Sequence, residues 1–440
     1  MILQRLKHFS QKQKDVIKTI SLGNLLEWYD IYSYGFQADI IAEKFFGFFP
    51  SHYSLISAFA LFGIGSIIRP ISSTFLFGRL ADHNKSKTTG PIAWLSRLFG
   101  FGRQPVFLFT IALTTLATVA TGCLPTYESW GWRATALIII LRVLTSIGLS
   151  GEYTGAMCYL YENSYPSNAR FVTSWTGVGN QVGGVVGILE TLMVMLLAST
   201  RFEHSYGWRL SFWMGGFLGV VIFLFRTRLS ETPLFEAIEE KDKFDQETSL
   251  QIIRRNSKKI FLGIGYGVIN ASTYYFLALY LPMFLIKELG VGEVSSLLCL
   301  LFLLTTTTIL IPWFGRFGDK FSNRMLLISS VTIIITLLLP AYYAIIEKNI
   351  LLIAIIGFIY LFPVSCITAL LGFYLPNLFS TNERFTCVGC CWNIADAVVG
   401  GLTPTILLAL QLFMSLPSAI CFFILLTGLI SAGCYTKIRG

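Results

Sequence analysis

Twelve apolar windows, each near the length that crosses a bilayer, follow one another along the chain with only short polar breaks between most of them. A span needs about 20 mostly apolar residues, and inside it each backbone polar group must bond within the protein, so a bundle of transmembrane helices is the expected outcome. The windows lie near residues 17–40, 53–78, 105–124, 132–160, 172–198 and 208–226, then 259–284, 294–314, 324–345, 350–373, 386–412 and 416–436. Only 13% of the 440 residues are charged, about half the share usual in soluble domains. The N-terminal stretch is basic and polar, and the apolar run after it holds Glu27 and Asp30 and leads into further windows. It reads as a first helix rather than a cleaved leader.

The net charge of +9 is explained by topology rather than by nucleic acid. Of the 33 Lys and Arg residues, 25 fall in the N-terminus, the C-terminus and the even-numbered breaks, six on the other side and two inside windows. The positive-inside rule then places both termini in the cytoplasm. One long polar stretch, 227–259, contains the charged run 236–245 and reads as a solvated loop with some helix. It divides the chain into halves at 1–226 and 259–440, with 227–258 as a cytoplasmic linker. Cys387, Cys390 and Cys391 are the tightest cysteine group, and no His lies in a window to complete a metal site, so they read as packing residues. All four His lie in breaks and no G-x-x-x-x-G-K-[ST] phosphate loop is present. The pattern therefore calls for no cofactor, no metal, no direct ATP coupling and no enzymatic activity.

The halves share an internal repeat. Gly78-Arg-Leu-Ala-Asp82, followed by basic residues, is echoed by Gly315-Arg-Phe-Gly-Asp319 and Arg324; Ser167-Asn-Ala-Arg170-Phe171 is echoed by Thr381-Asn-Glu-Arg384-Phe385. Gly183-Gly184 is likewise echoed by Gly400-Gly401. An insertion over roughly 85–101 accounts for most of the change in offset. Two six-helix halves repeated in one orientation are the architecture of the major facilitator fold, whose ligand site lies near the midplane between them. In this arrangement Asp82 or Asp319 is expected to sit at the N-terminus of a neighbouring helix and latch one conformation.

Ionisable groups at membrane depth cost at least about 2.5 kcal/mol each and therefore need partners. The windows hold Glu27, Asp30, Arg69, Arg142, Glu152 and Glu190, with Asp396 in the second half. Glu27 and Asp30 share a helix face that Tyr34 and Gln37 continue. Two acid–base pairs are expected among Glu27, Asp30, Glu152 and the two arginines, leaving one carboxylate free to take and release a proton. Glu190 lies toward the outer end of its window, within reach of the headgroups. The second half contributes Asn270, Tyr274, Tyr275, Tyr280 and Asn393 but no arginine or lysine at depth, so proton chemistry is expected in the first half. Gly179, Gly183 and Gly187 form a G-x-x-x-G-x-x-x-G ridge suited to close helix contact.

Gly23-Asn-Leu-Leu-Glu27-Trp28-Tyr29-Asp30 with Tyr34-Gly35, Arg69-Pro70, Gly151-Glu152-Tyr153, Glu162 to Arg170, Gly207-Trp-Arg209 and Glu231-Thr-Pro-Leu-Phe235 together form a recognisable set. They resemble the metabolite:proton symporter family of the major facilitator superfamily, which includes proline/betaine, α-ketoglutarate, shikimate and citrate carriers. Asn393 and Gly400-Gly401-Leu-Thr-Pro404 extend the match more faintly into the second half. The resemblance implies a monomeric symporter in a bacterial inner membrane, importing a small zwitterionic or carboxylate metabolite together with a proton. It places Glu27, Asp30, Arg69, Arg142 and Glu152 at the family's charged positions; with the residue reading above, proton coupling is expected at Glu27, Asp30, Arg142 and Glu152, and substrate contact at Tyr34, Arg69, Arg142, Tyr274 and Asn393. Gly78, Asp82, Arg103, Glu162, Arg170, Gly315, Asp319 and Arg324 are the conformational motif residues. Arg103 enters as the displaced end of the interrupted first loop motif. The chain departs from the family at Ser72-Ser73, Thr145-Ser146 and Phe171, which leaves the cargo open. An exchanger or exporter of the same fold is the first alternative, and a membrane-embedded enzyme, which the missing His-rich metal set disfavours, is the second.

Overall fold

The computed structural model describes residues 11–48, 51–82, 100–197, 206–239 and 247–438, and all regular structure among them is helical. The first ten residues, most of the inserted stretch 85–101 and residues 240–245 of the charged run lie outside the described residues.

The first half contains α1 (Gln11–Phe36), α2 (Ala38–Phe46), α3 (Ser51–Ile71), α4 (Gly78–Asp82), α5 (Arg103–Gly122), α6 (Tyr127–Trp130), α7 (Trp132–Ser150), α8 (Glu152–Glu162), α9 (Ala169–Leu197) and α10 (Trp208–Arg226). Two short helices follow, α11 (Pro233–Glu239) and α12 (Ser249–Arg255). The second half contains α13 (Ser257–Tyr275), α14 (Leu281–Lys287), α15 (Glu293–Gly318), α16 (Asn323–Ile346), α17 (Ile350–Asn377), α18 (Arg384–Asn393), α19 (Thr403–Leu410) and α20 (Leu416–Tyr435).

Among the described residues, eight helices are long and apolar enough to cross a membrane, α7 and α8 counting together as one. The remaining four crossings expected from the sequence are charged or broken. The first carries Glu27 and Asp30 at depth. The second, seventh and eleventh pass through wide π-type turns at Ser72–Phe77, Phe276–Tyr280 and Ile394–Gly400. A π-turn adds a residue to the helical circuit and shifts which side chains face inward. In the second crossing Pro70 lies just before the wide turn, where its missing N–H and its ring disturb the regular ladder. The fourth window, expected as one helix, is interrupted at Gly151, the C-cap of α7 and the residue that precedes α8.

The largest apolar cluster joins residues of both halves, with Phe77, Tyr153 and Met157 packed among Leu371, Phe385 and Trp392. α9 packs against α1 in its own half and against α15 in the other. On the α1 side the ridge glycines permit contact at backbone distance, since a Cβ on Gly179 or Gly183 would overlap the carbonyl oxygens of Ser21 or Leu25.

Candidate functional site

Two ion pairs occupy the middle of the first half. Arg69 Nη1 on α3 donates to Glu27 Oε1 at 3.0 Å, and Arg142 Nη1 on α7 donates to Asp30 Oδ2 at 2.7 Å. All four side chains are buried, between 3% and 6% exposed. The Arg142 guanidinium also lies 4.2 Å from the centre of the Tyr34 ring, a geometry in which the ring face stabilises the cation. A small cavity opens beside Asp30, Tyr34, Thr118, Thr121 and Arg142. The shared face expected for Glu27, Asp30 and Tyr34 is present, and it points into protein.

The pairing of Glu152 differs from the sequence expectation. Its carboxylate meets neither Arg69 nor Arg142; Arg226 at the end of α10 grips it through Nη1 at 2.9 Å and Nη2 at 2.6 Å, and the Thr110 hydroxyl donates to it. Arg226 is fully buried, stacked 4.4 Å from the centre of the Phe107 ring. By position alone Arg226 counts with the basic residues at the cytoplasmic edge of its window. A signal for its true place is Gly23, where a Cβ would collide with the guanidinium. The second half also reaches this charge cluster, through the candidate acid of its eleventh window. Asp396, in the π-turn Ile394–Gly400, lies close enough to Arg69 and Glu27 to act on both electrostatically, and Tyr275 donates to it at 3.4 Å. Glu190 does not reach outward: it is 6% exposed and accepts from Ser211 Oγ at 2.5 Å. Among the described residues four buried acids (Glu27, Asp30, Glu152, Asp396) therefore face three arginines (Arg69, Arg142, Arg226) at span depth, with Glu190 apart from them.

Tyr274 and Asn393 come from the second half. Tyr274 packs edge-on against Trp28 with ring centres 4.3 Å apart, and its hydroxyl donates to Gln181 of α9. Tyr32 and Tyr275 complete an aromatic wall around Trp28. Asn393 Nδ2 donates to Ser150 O at 3.2 Å and Gly389 O at 3.0 Å, tying α18 to the break between α7 and α8.

The loop motifs meet at one end of the bundle, and each crosses to the opposite half. Asp82, ending α4, accepts from the backbone N–H groups of Phe385 at 3.2 Å and Thr386 at 2.8 Å, the first turn of α18. Asp319, following α15, accepts from those of Arg170 at 3.0 Å and Phe171 at 3.2 Å, the first turn of α9. A carboxylate there bonds the free N–H groups and opposes the positive end of the helix dipole. The motif glycines allow the approach: a Cβ on Gly78 would lie 2.5 Å from Thr386 Oγ1, and one on Gly315 would lie 2.6 Å from Ser174 Oγ. Arg103 holds the first latch, donating to Asp82 at 2.6 Å and to Glu162 at 3.1 Å, while Arg384 reaches the same Glu162 oxygen at 2.6 Å. Arg170 lies over the Phe373 ring at 4.2 Å. Arg324, the counterpart terminal cation, is exposed and stands outside the latch.

The linker expected to be solvated is docked on this same end. Thr232 donates to Glu162 Oε2 at 2.5 Å, Glu231 Oε2 accepts from Gln104 N at 3.1 Å, and Phe235 lies under Arg103 at 5.2 Å. Burial pushes the Glu231 carboxyl above its usual range, against the N–H groups of Thr232 and Gln104. Further on, Thr248 and Gln251 form a reciprocal capping box for α12. Arg255 and Asn256 then donate to Glu383 Oε2 at 2.6 and 2.7 Å. Burial would raise the Glu383 carboxyl, but the hydrogen bonds from Arg255, Ser380 and Asn256 outweigh it and hold it below its usual range.

Comparison with known proteins gives a consistent picture. The profile of the Major Facilitator Superfamily matches residues 88–395. The chain is 27% identical over 405 residues to the proline/betaine transporter of Escherichia coli (strain K12), covering 90% of this chain and 77% of that one. It is 27% identical over 403 residues to the glycine betaine/proline/ectoine/pipecolic acid transporter of Dickeya dadantii (strain 3937), covering 89% and 76%. Among solved structures, the proton:xylose symporter XylE bound to 6-bromo-6-deoxy-D-glucose superposes with a TM-score of 0.77 at 13% identity, over 97% of this chain and 95% of that chain.

Proposed function

Because the chain belongs to the Major Facilitator Superfamily, we propose that it is a proton-coupled symporter that imports a small zwitterion such as proline or betaine, or a small carboxylate. The observation that carries this reading is the surplus of buried acids over arginines around a central cluster whose members come from both halves. A carboxylate substrate arriving at Arg69 or Arg142 competes with Glu27 or Asp30 for its cation, and the displaced acid then favours a proton. Substrate and proton are thereby bound together. The wall of Trp28, Tyr32, Tyr274 and Tyr275 offers ring faces to a quaternary or secondary amine.

In this reading residues 1–226 and 259–440 are the rocking halves and 227–258 the strap between them. The latch end is cytoplasmic, both termini lie on that side of a bacterial inner membrane, and the carrier works as a monomer. Glu27, Asp30, Arg142 and Glu152 serve the proton, with Arg226 holding Glu152. Tyr34, Arg69, Arg142 and Tyr274 serve the substrate, and Asn393 positions α18 against the α7–α8 break.

The test has two arms. Thermal-shift measurements on purified protein with betaine, proline, α-ketoglutarate, shikimate and citrate should show stabilisation by one compound class. In vesicles, an inward pH gradient should drive uptake of that compound, and Glu27→Gln or Asp30→Asn should lower accumulation about tenfold or more with binding largely retained. Gradient-driven uptake unchanged in both variants would remove the coupling assignment. Uptake that requires preloaded substrate and ignores the pH gradient would identify an exchanger.

A further inference from the structure

About 30 Å along α9 from its latched first turn, Glu190 belongs to a second polar network, separate from the arginine cluster. Gln37 Nε2 donates to Ser211 Oγ, Ser211 Oγ donates to Glu190 Oε1 at 2.5 Å, and Tyr29 donates to Ser211 O at 2.8 Å. An ionised carboxylate only accepts, so the single Ser211 hydrogen goes to Glu190 and the Ser211 oxygen accepts from Gln37. This leaves two buried acceptors, Glu190 Oε2 and Gln37 Oε1, and no donor for either among the described residues. Glu190 and Gln37 are 6% and 9% exposed. Buried acceptors without donors are costly, and a buried carboxylate without a cation more so.

The surroundings supply no compensating charge among the described residues. From α1 the titratable neighbour is the Tyr29 hydroxyl, itself next to Asp30. From α10, Arg209 is turned away, donating to the carbonyls of Gly122 and Leu124 at 2.8 and 2.6 Å. Asp39 on α2 is exposed. Across from this part of α9, α15 contributes the apolar Leu297 and Leu300.

We infer that Glu190 Oε2 is a proton-binding site of its own. One O–H bond forms on Oε2, the proton arriving from hydronium when this region opens to water and returning to water when it leaves. The site depends on neither the arginines nor the substrate, so it can stand or fall apart from the transport reading.

The experiment is infrared difference spectroscopy on the full-length chain in nanodiscs, titrated from acid to alkaline pH without substrate. The wild type should show a protonated-carboxyl stretch, equivalent to one group, that is missing from Glu190→Gln. Spectra that match at every pH would overturn the inference. If that variant fails to fold, Ser211→Ala serves instead: with its only donor removed, Glu190 should hold the proton to higher pH, and a band that is unmoved or lost earlier would overturn the inference. Loss of the band on adding sodium chloride at fixed pH would identify a sodium site and overturn the proton assignment.

Discussion

A buried ion pair contributes little net stability, yet removing one member strands the other in a low-dielectric interior at a cost of about 3–5 kcal/mol. Glu152 and Arg226 are both fully buried, joined by one hydrogen bond and by an ion pair at the second carboxylate oxygen. Glu152→Ala and Arg226→Ala should each destabilise the fold by an energy in that range, read as a lower thermal unfolding temperature. The double variant should cost clearly less than the sum, because no charge is then left alone. Differential scanning measurements on detergent-purified protein check both statements. Glu383 gives a pH dependence with a definite sign. Its carboxyl is held below its ordinary value in the folded protein, so its contribution is present above the unfolded value and fades as pH falls. Below about pH 4.5 the α12 strap should loosen, read as faster amide exchange over residues 249–256. The individual acids and arginines were legible in the sequence because a charge inside an apolar window stands out. Their partners were not, since pairing depends on how helices face one another. Arg226 ends an apolar run and counts among the Lys and Arg of the cytoplasmic side, and Asp396 gave no sign that it looks across to Arg69.

At the level of helices, window edges were read well where length alone decides. The expected 208–226 and the observed Trp208–Arg226 coincide, because a bilayer fixes how many residues at 1.5 Å each are needed. The windows whose interiors were misread are those near the charge cluster. The second and eleventh crossings each contain a π-turn beside a latch or an acid, as does the seventh next to Tyr275. Apolar periodicity carries no mark of such a turn. The latches were foreseeable from the repeat, and their crossing between halves supports a use as a releasable lock. Asp82→Asn removes the charge that faces the α18 N-terminus and Arg103. It should shift the resting equilibrium toward the form open at the latch end by roughly 1–3 kcal/mol. Asp319→Asn should act in the same direction, since it removes the charge that faces the first turn of α9. Spin-label distances across that end, taken without substrate, would show the longer population growing in each variant.

For the molecule as a whole, the two halves are joined far more extensively than by the chain that connects them. α9 packs along α15, Asp82 and Asp319 each cap a helix of the other half, and Arg384 shares Glu162 with Arg103. The connecting segment is itself fastened at both ends, through Thr232 on one half and Arg255 on the other. Its peptide continuity is therefore the least of what keeps the carrier together. A gene divided between the codons for Glu239 and Glu247 should yield two polypeptides that find each other when co-expressed, co-purify through a tag on either one, and reconstitute uptake. Fragments that migrate separately would mean that the halves depend on tethering rather than on recognition.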